Sequence, residues 1–313
     1  MVTIHRSLGW PGFDTGCDPT TNDQVETTIM LALHPRTVDA VWAAVEPLIP
    51  VHVPNPHPLG CHRHRIADRV CFEGILRRLV TGCSWDVAGR ISGAGETTLR
   101  RRRSEWTAAG VFENLRVEAT AAYDRIIGLD LTEIAIDGSQ HKAPFGGEGT
   151  GPNPTDRGRI GWKWSIATDR YGIPLAWAID GANRNDMVLL GPTLDAFCAT
   201  GLAPDVETLH LDKGYDNGVT ITLTTKATLT DLVCAKRRKP GEPKVKAKTK
   251  NGTHTLGLRW PVERTNSWFT NYGQLRRNTD RFIHQRLAQI DLAVACILAI
   301  KLIKWADRWS PTY

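Results

Sequence analysis

The chain has 313 residues, 41% of them hydrophobic and 23% charged, a balance that excludes an intrinsically disordered protein and leaves room for two domains with a sizeable core. Its longest clean apolar run, 292–300, lies between Asp291 and Lys301 and is far short of the roughly 20 residues of a membrane span, so no membrane partner is expected. The formal net charge is +6, yet Lys236 to Lys250 alone carry eight basic residues against Glu242; the rest of the chain nets −1, and the basicity is a local device aimed at a polyanion.

Residues 1–33 are polar, rich in Gly, Thr and Asp and without periodicity, and read as a disordered N-terminal extension. Pro11, Gly12, Asp14 and Gly16 break any signal-like pattern, so a cytoplasmic location is expected. From Thr37, apolar residues recur at Val38, Val41, Trp42, Val45 and Leu48, a helix stopped at Pro50. A proline-rich joint follows, in which His52, His57, Cys61, His62 and His64 crowd together. Their spacing matches no zinc finger, and none of the seven cysteines forms a C-x-x-C pair, so reduced thiols and solvated histidines are expected.

A second helix runs from about Ile66 to a stop at Gly82, a short one covers Trp85 to Arg90, and a third spans about Thr97 to Ala109 after the turn Ser92-Gly93-Ala94-Gly95. This order fits a helix-turn-helix reader with Arg100, Arg101, Arg102 and Arg103 as DNA contacts; it equally fits a helical bundle with an arginine-coated solvent face. Near Ile134 the pattern turns to strands: residues 133–136, 162–168 and 174–179, then a helix at 187–199, a strand at 208–211 and another at 232–235. Gly146 to Gly151 lacks the Gly-Lys-Ser/Thr ending of a P-loop and reads as a flexible loop, so no nucleotide cofactor is expected. Helices resume at Trp260 and continue to Trp309, with Ile283, Leu287, Ile290, Val294 and Ile297 as a core stripe. The result is an α/β class with a mixed sheet, preceded by an all-α, helix-turn-helix-like domain.

Two carboxylates, Asp137 and Asp212, follow apolar strand residues, and each has a glycine within two residues after it. Such placement puts both at the rim of a sheet with the chain turning away. A third acid, Glu263, lies near the start of the helix at Trp260. Oxygen-only ligands select hard cations, Mg²⁺ or Mn²⁺, and two such ions would clamp an in-line phosphoryl displacement. A lone strand-end Asp usually only caps its turn; three acids in these elements and this order say more.

The segments 135–141 (Ala-Ile-Asp-Gly-Ser-Gln-His), 211–217 (Leu-Asp-Lys-Gly-Tyr-Asp-Asn) and 259–269 (Arg-Trp-Pro-Val-Glu-Arg-Thr-Asn-Ser-Trp-Phe) resemble the catalytic blocks of DDE transposases of the insertion-sequence-five group. Residues 65–69, 79–85 and 102–110 resemble that group's N-terminal region, and the likeness covers about Thr37 to Trp309. It implies an RNase H-like catalytic domain over 128–313, with a basic loop at about 237–252, behind a DNA-binding domain over 34–127. It also implies Asp137, Asp212 and Glu263 as the catalytic, metal-binding triad, about two Mg²⁺ or Mn²⁺ ions, and double-stranded DNA as partner, both inverted-repeat ends and target, with a homo-oligomer assembled on it. Within the group, Lys or Arg often stands seven residues after the glutamate, where this chain has Thr270, and Gln274 also replaces a common basic residue. Arg264, Arg276 and Arg277 keep the region cationic and are read as DNA contacts. Alternatives are a DNA-binding protein of the same fold without the chemistry, or a nuclease that cuts without strand transfer.

Trp260 and Trp268 flank Glu263; core packing suits them better than stacking on an unpaired base. The basic segment Lys236, Arg237, Arg238, Lys239, Lys244, Lys246, Lys248 and Lys250 is either a solvated linker or, as its Lys-x-Lys rhythm favours, a phosphate-binding element. The second reading predicts DNA affinity falling by roughly 0.9 log units per log unit of salt for each phosphate contacted. Replacing Lys244, Lys246, Lys248 and Lys250 with Gln should flatten that slope while leaving the preference for particular DNA ends intact. An unchanged slope in a salt titration returns the segment to a linker.

Overall fold

The computed structural model describes residues 31–53, 64–234 and 259–309. The helices are α1 Pro35–Val45, α2 Asp68–Thr81, α3 Trp85–Ser92, α4 Glu96–Ala108, α5 Val111–Ile126, α6 Asp186–Ala199, α7 Gly218–Lys226, α8 Trp260–Thr270, α9 Gly273–Arg276 and α10 Ile283–Trp309. The strands are β1 Glu133–Lys142, β2 Gly151–Pro152, β3 Ile160–Thr168, β4 Pro174–Gly181, β5 Thr208–Leu211 and β6 Leu232–Cys234. The described residues divide between a helical unit, those up to Gly128 with Asn271–Gln274 and those from His284, and a sheet unit, those of Leu129–Thr270 with Leu275–Ile283.

In the helical unit the turns follow from their residues. Gly82 closes α2 in the left-handed conformation that favours glycine, and Ser84 caps α3 by accepting from the Val87 N–H. Gly82 also lies against Gly273: a Cβ on Gly273 would come within 2.5 Å of the backbone at Thr81 and Gly82, so only glycine permits that approach. Sequence periodicity did not mark α5, whose inward stripe is Val111, Phe112, Leu115, Ala119, Ala122 and Tyr123.

The long helix α10, placed with the catalytic domain on sequence, packs instead in the helical unit. Gln285, Ala288, Gln289 and Leu292 line a small cavity with Ile75, Leu79, Trp85 and Phe112. Arg116 pairs with Asp291 at 2.9 Å, and Arg36 with Asp307 at 2.8 Å. Nearly every residue from Ala288 to Ile300 is buried, which is why its pattern is apolar all round rather than striped.

The arginines of α4 split into two pairs. Arg100 and Arg101 are exposed and pair along the helix with Glu96 and Glu105. Arg102 and Arg103 turn inward at 1% and 6% exposure: Arg102 pairs with Asp68 and Glu105, and Arg103 bonds Gln285 and lies over the Trp85 ring, which Arg78 also covers. The expected DNA contacts of Arg102 and Arg103 are therefore corrected, because buried, paired guanidinium groups cannot reach a phosphate.

In the sheet unit the strand order is β2-β3-β1-β5-β6, with β4 on the remaining length of the β3 edge that β2 takes. β3 is antiparallel to β1, β2 and β4, whereas β5 and β6 run parallel to β1. This mixed sheet with helices is the RNase H-like arrangement. β3 is buried on both faces: Trp162 and Trp164 pack toward α8, and Lys163 toward α6. The Gly-rich stretch expected to be flexible is tied down, the Glu148 N–H donating to the Arg281 carbonyl at 2.8 Å and Gly147 resting on Arg281 with no room for a Cβ. Residues 1–30 of the expected N-terminal extension, His57, Cys61, His62 and the whole basic segment from Lys236 to Lys250 lie outside the described residues.

The split on α4 makes a paired prediction. Arg102→Ala should destabilise the protein by about 2–3 kcal/mol, less than the full cost of breaking a buried pair because Asp68 keeps some solvent. Arg101→Ala, on the solvent side, should stay within about 0.5 kcal/mol of the parent. Denaturant unfolding of the two variants checks this, and equal losses would show that Arg102 is not held inside.

Candidate active site

Asp137 does not end its strand. β1 runs on through Gly138 to Lys142, paired with β3, and the expected sharp turn after Asp137 is corrected. What ends there is its neighbour: Ile136 is in register with Leu211, the last residue of β5, so Asp137 and Asp212 are the next residues along two parallel strands. Asp212, still extended, caps the 3-10 turn 213–215 by accepting from the Lys213 N–H at 2.7 Å. Asp137 accepts from the Gly138 N–H at 2.8 Å.

The third acid arrives on α8 for reasons of face. Side chains alternate along a strand, so Asp137, Ser139 and His141 share a face with their β3 partners Ile166, Trp164 and Trp162. On that face the Trp164 indole N–H donates to Asn266 Oδ1 at 2.8 Å, and its ring meets Phe269 edge-on. One residue earlier in the helix, the Thr265 hydroxyl donates to the Gly172 carbonyl in the β3–β4 turn. These contacts fix α8 in rotation, and Glu263 lies one turn before Asn266 on the same side.

One cation joins the three acids. The Arg259 guanidinium lies 3.7 Å from Asp137 Oδ2, 3.5 Å from Asp212 Oδ1 and 3.6 Å from Glu263 Oε1. Burial pushes the Asp137 carboxyl above the usual Asp range against the pull of Gly138 and Arg259, and the charges of Asp186 and Asp212 add to the rise. The buried Tyr215 phenol is held up chiefly by burial, with Asp186, Asp137 and Asp212 adding to it. Asp186, at the start of α6, is a fourth acid near the site. Its Oδ1 takes the buried Lys163 ammonium at 2.9 Å and sits where a Cβ on Gly138 would intrude.

Sequence reading did not single out Arg259, Asp186, Lys163 or Tyr215. Arg259 carried a usable signal, standing one helical turn before Glu263; nothing in the spacing pointed to Asp186. Of the expected phosphate contacts, Arg276 and Arg277 are exposed. Arg264 is half-buried, its guanidinium 4.5 Å from the Trp260 ring and 5.4 Å from that of Trp268. Trp260 is 47% exposed, so the expectation of core packing fails for it. Thr270 turns its hydroxyl to the Ser267 carbonyl, and Gln274 is fully buried in the helical unit.

The donor set suits a hard divalent cation: three carboxylates, two from a rigid sheet, gathered on a positive charge. No described helix is long and apolar enough to cross a membrane.

Residues 38–116 match the family described as putative transposase of the IS4/5 family, and residues 128–298 match the transposase DDE domain. The chain is 35% identical over 170 residues to a putative transposase for insertion sequence element IS402 of Burkholderia cepacia, covering 51% of this chain and 72% of that one. It is 31% identical over 121 residues to an uncharacterized 16.2 kDa protein of insertion element IS402 from the same organism, covering 37% and 79%. A DDE domain over more than half the chain, carried on this mixed sheet with the IS4/5 region before it, shows that the protein belongs to the DDE transposases, in the IS4/5 group of insertion-sequence transposases.

Proposed function

We propose that this transposase cleaves DNA at the inverted-repeat ends of its element and joins the freed 3′-OH to target DNA, with Asp137, Asp212 and Glu263 as the metal-binding catalytic triad. The observation that carries the reading is the single guanidinium within 3.5–3.7 Å of all three acids, which brings carboxylates from β1, the end of β5 and α8 to one point. Two Mg²⁺ or Mn²⁺ ions bound there would stabilise the attacking and leaving oxygens of an in-line displacement.

The residues divide the work. Asp137, half-desolvated on the sheet, and Asp212, at the end of β5, provide the rigid pair of oxygens. Glu263 is the most exposed of the three at 59%. Arg100 and Arg101 on α4, Arg276 and Arg277 at the end of α9, and the basic residues from Lys236 to Lys250 supply phosphate contacts, which position the duplex without reading its sequence. The α3–turn–α4 segment is the reader of the element's ends, with Gly93 and Gly95 making the turn between its helices. The chain works as a homo-oligomer on two DNA ends in the cytoplasm, with no nucleotide cofactor. The 34–127 and 128–313 division stands as a functional one, DNA-end binding before catalysis, although α10 is structurally part of the helical unit.

Asp137→Asn, Asp212→Asn and Glu263→Gln each keep side-chain size and remove one charge from the site. Each variant should fold, bind DNA ends and lose roughly 100-fold or more of its Mg²⁺- or Mn²⁺-dependent cleavage and strand transfer. Asp216→Asn, on the exposed side of the same turn, should keep most of its activity. Near-parental cleavage by any triad variant removes that residue from the site; cleavage by the parent chain without joining makes it a nuclease.

A further inference from the structure

We infer that Arg259 is a positioning residue that gathers the three carboxylates and competes with divalent cations for their oxygens. The inference rests on the triad reading above and adds to it a residue with its own measurable effect. Arg259 reaches Asp137 and Glu263 through Nη2 and Asp212 through Nη1, so one planar fork spans acids from three elements. Three carboxylates brought this close repel one another, and a central cation offsets that repulsion.

The same geometry sets guanidinium against metal. Magnesium holds its oxygens at roughly 2.0–2.1 Å, whereas these acids are spread around a larger, planar cation. Among the described residues, no group of three His, Cys, Asp or Glu side chains closes into a metal-sized cage. Closing Asp137, Asp212 and Glu263 onto a hard ion therefore requires the guanidinium to withdraw. Arg259 is suited to that exchange: its side chain is 46% exposed, and all three contacts are long ion pairs rather than close hydrogen bonds. It also stands immediately before α8, so its side chain can swing out while the contacts of Asn266 and Thr265 keep Glu263 in place. An arginine serving only as a structural tie predicts the opposite, because its loss would scatter the acids and weaken metal binding.

The test is Mn²⁺ binding to the full chain without DNA, followed by the spin-resonance signal of free Mn²⁺. Arg259→Gln should bind Mn²⁺ about tenfold more tightly than the parent, a modest gain because the arginine is half in solvent. Arg259→Lys keeps the charge but lacks the fork, and should bind about threefold more tightly. Asp137→Asn should lose binding. In chelator, Arg259→Gln should melt below the parent and gain more from added Mn²⁺. If Arg259→Gln binds Mn²⁺ no better than the parent while Asp137→Asn loses it, Arg259 is no competitor and the triad stands. If Arg259→Gln does not fold, Arg259→Lys decides by the same criterion. If Asp137→Asn binds as well as the parent, the triad is not the metal site and both readings fall.

Discussion

The parallel pairing of β1 with β5 is the constraint on which the site depends. Its register sets Ile136 beside Leu211, and with it Asp137 beside Asp212. A slip of one residue would turn Asp137 to the α6 face and bring Gly138 to the α8 face, since strand side chains alternate. Buried residues enforce the register from both sides: Ile134, Ile136, Leu209 and Leu211 are all within 2% of full burial. Where β5 ends, β1 loses its parallel neighbour beside Asp137. A polar group at a seam of this kind keeps access while its backbone remains held by β3 on the other side.

Beneath the triad lies a layer that carries no charge. His141 stacks on Trp164 with ring centroids 3.5 Å apart, and Trp162 meets both edge-on. Burial lowers the His141 pKa to about 3, so the imidazole is neutral at physiological pH. An uncharged, rigid aromatic floor has two consequences. It lowers the local dielectric, which strengthens the attraction between the triad and any cation. It also transmits position, because the indole that forms the floor is the one that bonds Asn266 and sets the rotation of α8. Packing and chemistry are thus joined through Trp164.

The strands, α6 and the order of the acids were legible because their apolar patterns are local. Thr208–Leu211 alternates polar with apolar residues, and its structure matches the reading to the residue. Asp137 was read as a strand end because Gly138 follows it, but this glycine serves a close approach by Asp186 rather than a turn. Such an approach comes from tertiary packing, which a neighbouring pair of residues does not encode. The inward turn of Arg102 and Arg103 was hidden for a similar reason. Four consecutive arginines must face all round a helix, and which two go inside depends on Asp68, Gln285 and Trp85, distant in sequence. Helix α5 was overlooked because its stripe is diluted by alanines, whose burial is decided by what packs against them.

The distribution of charge sets the proposed triad apart from the fourth acid, Asp186. Asp186 contributes a negative charge that Asp137 and Tyr215 both feel. Yet it approaches β1 from the side of Gly138 and Lys163, whereas Asp137 looks toward α8. The strand stands between them. Lys163, 3% exposed, spends its charge on Asp186 and on the Arg184 carbonyl at 2.8 Å, so this acid is already neutralised within the fold. A buried lysine is stable in the charged form only with such a partner, and the pair is consequently hard to separate. Among the described residues, the three acids on the α8 side have no buried counterion of that kind. Their cation is a half-exposed arginine held at ion-pair distance. One acid is thus locked to its cation for structure, and three are held by one that can leave.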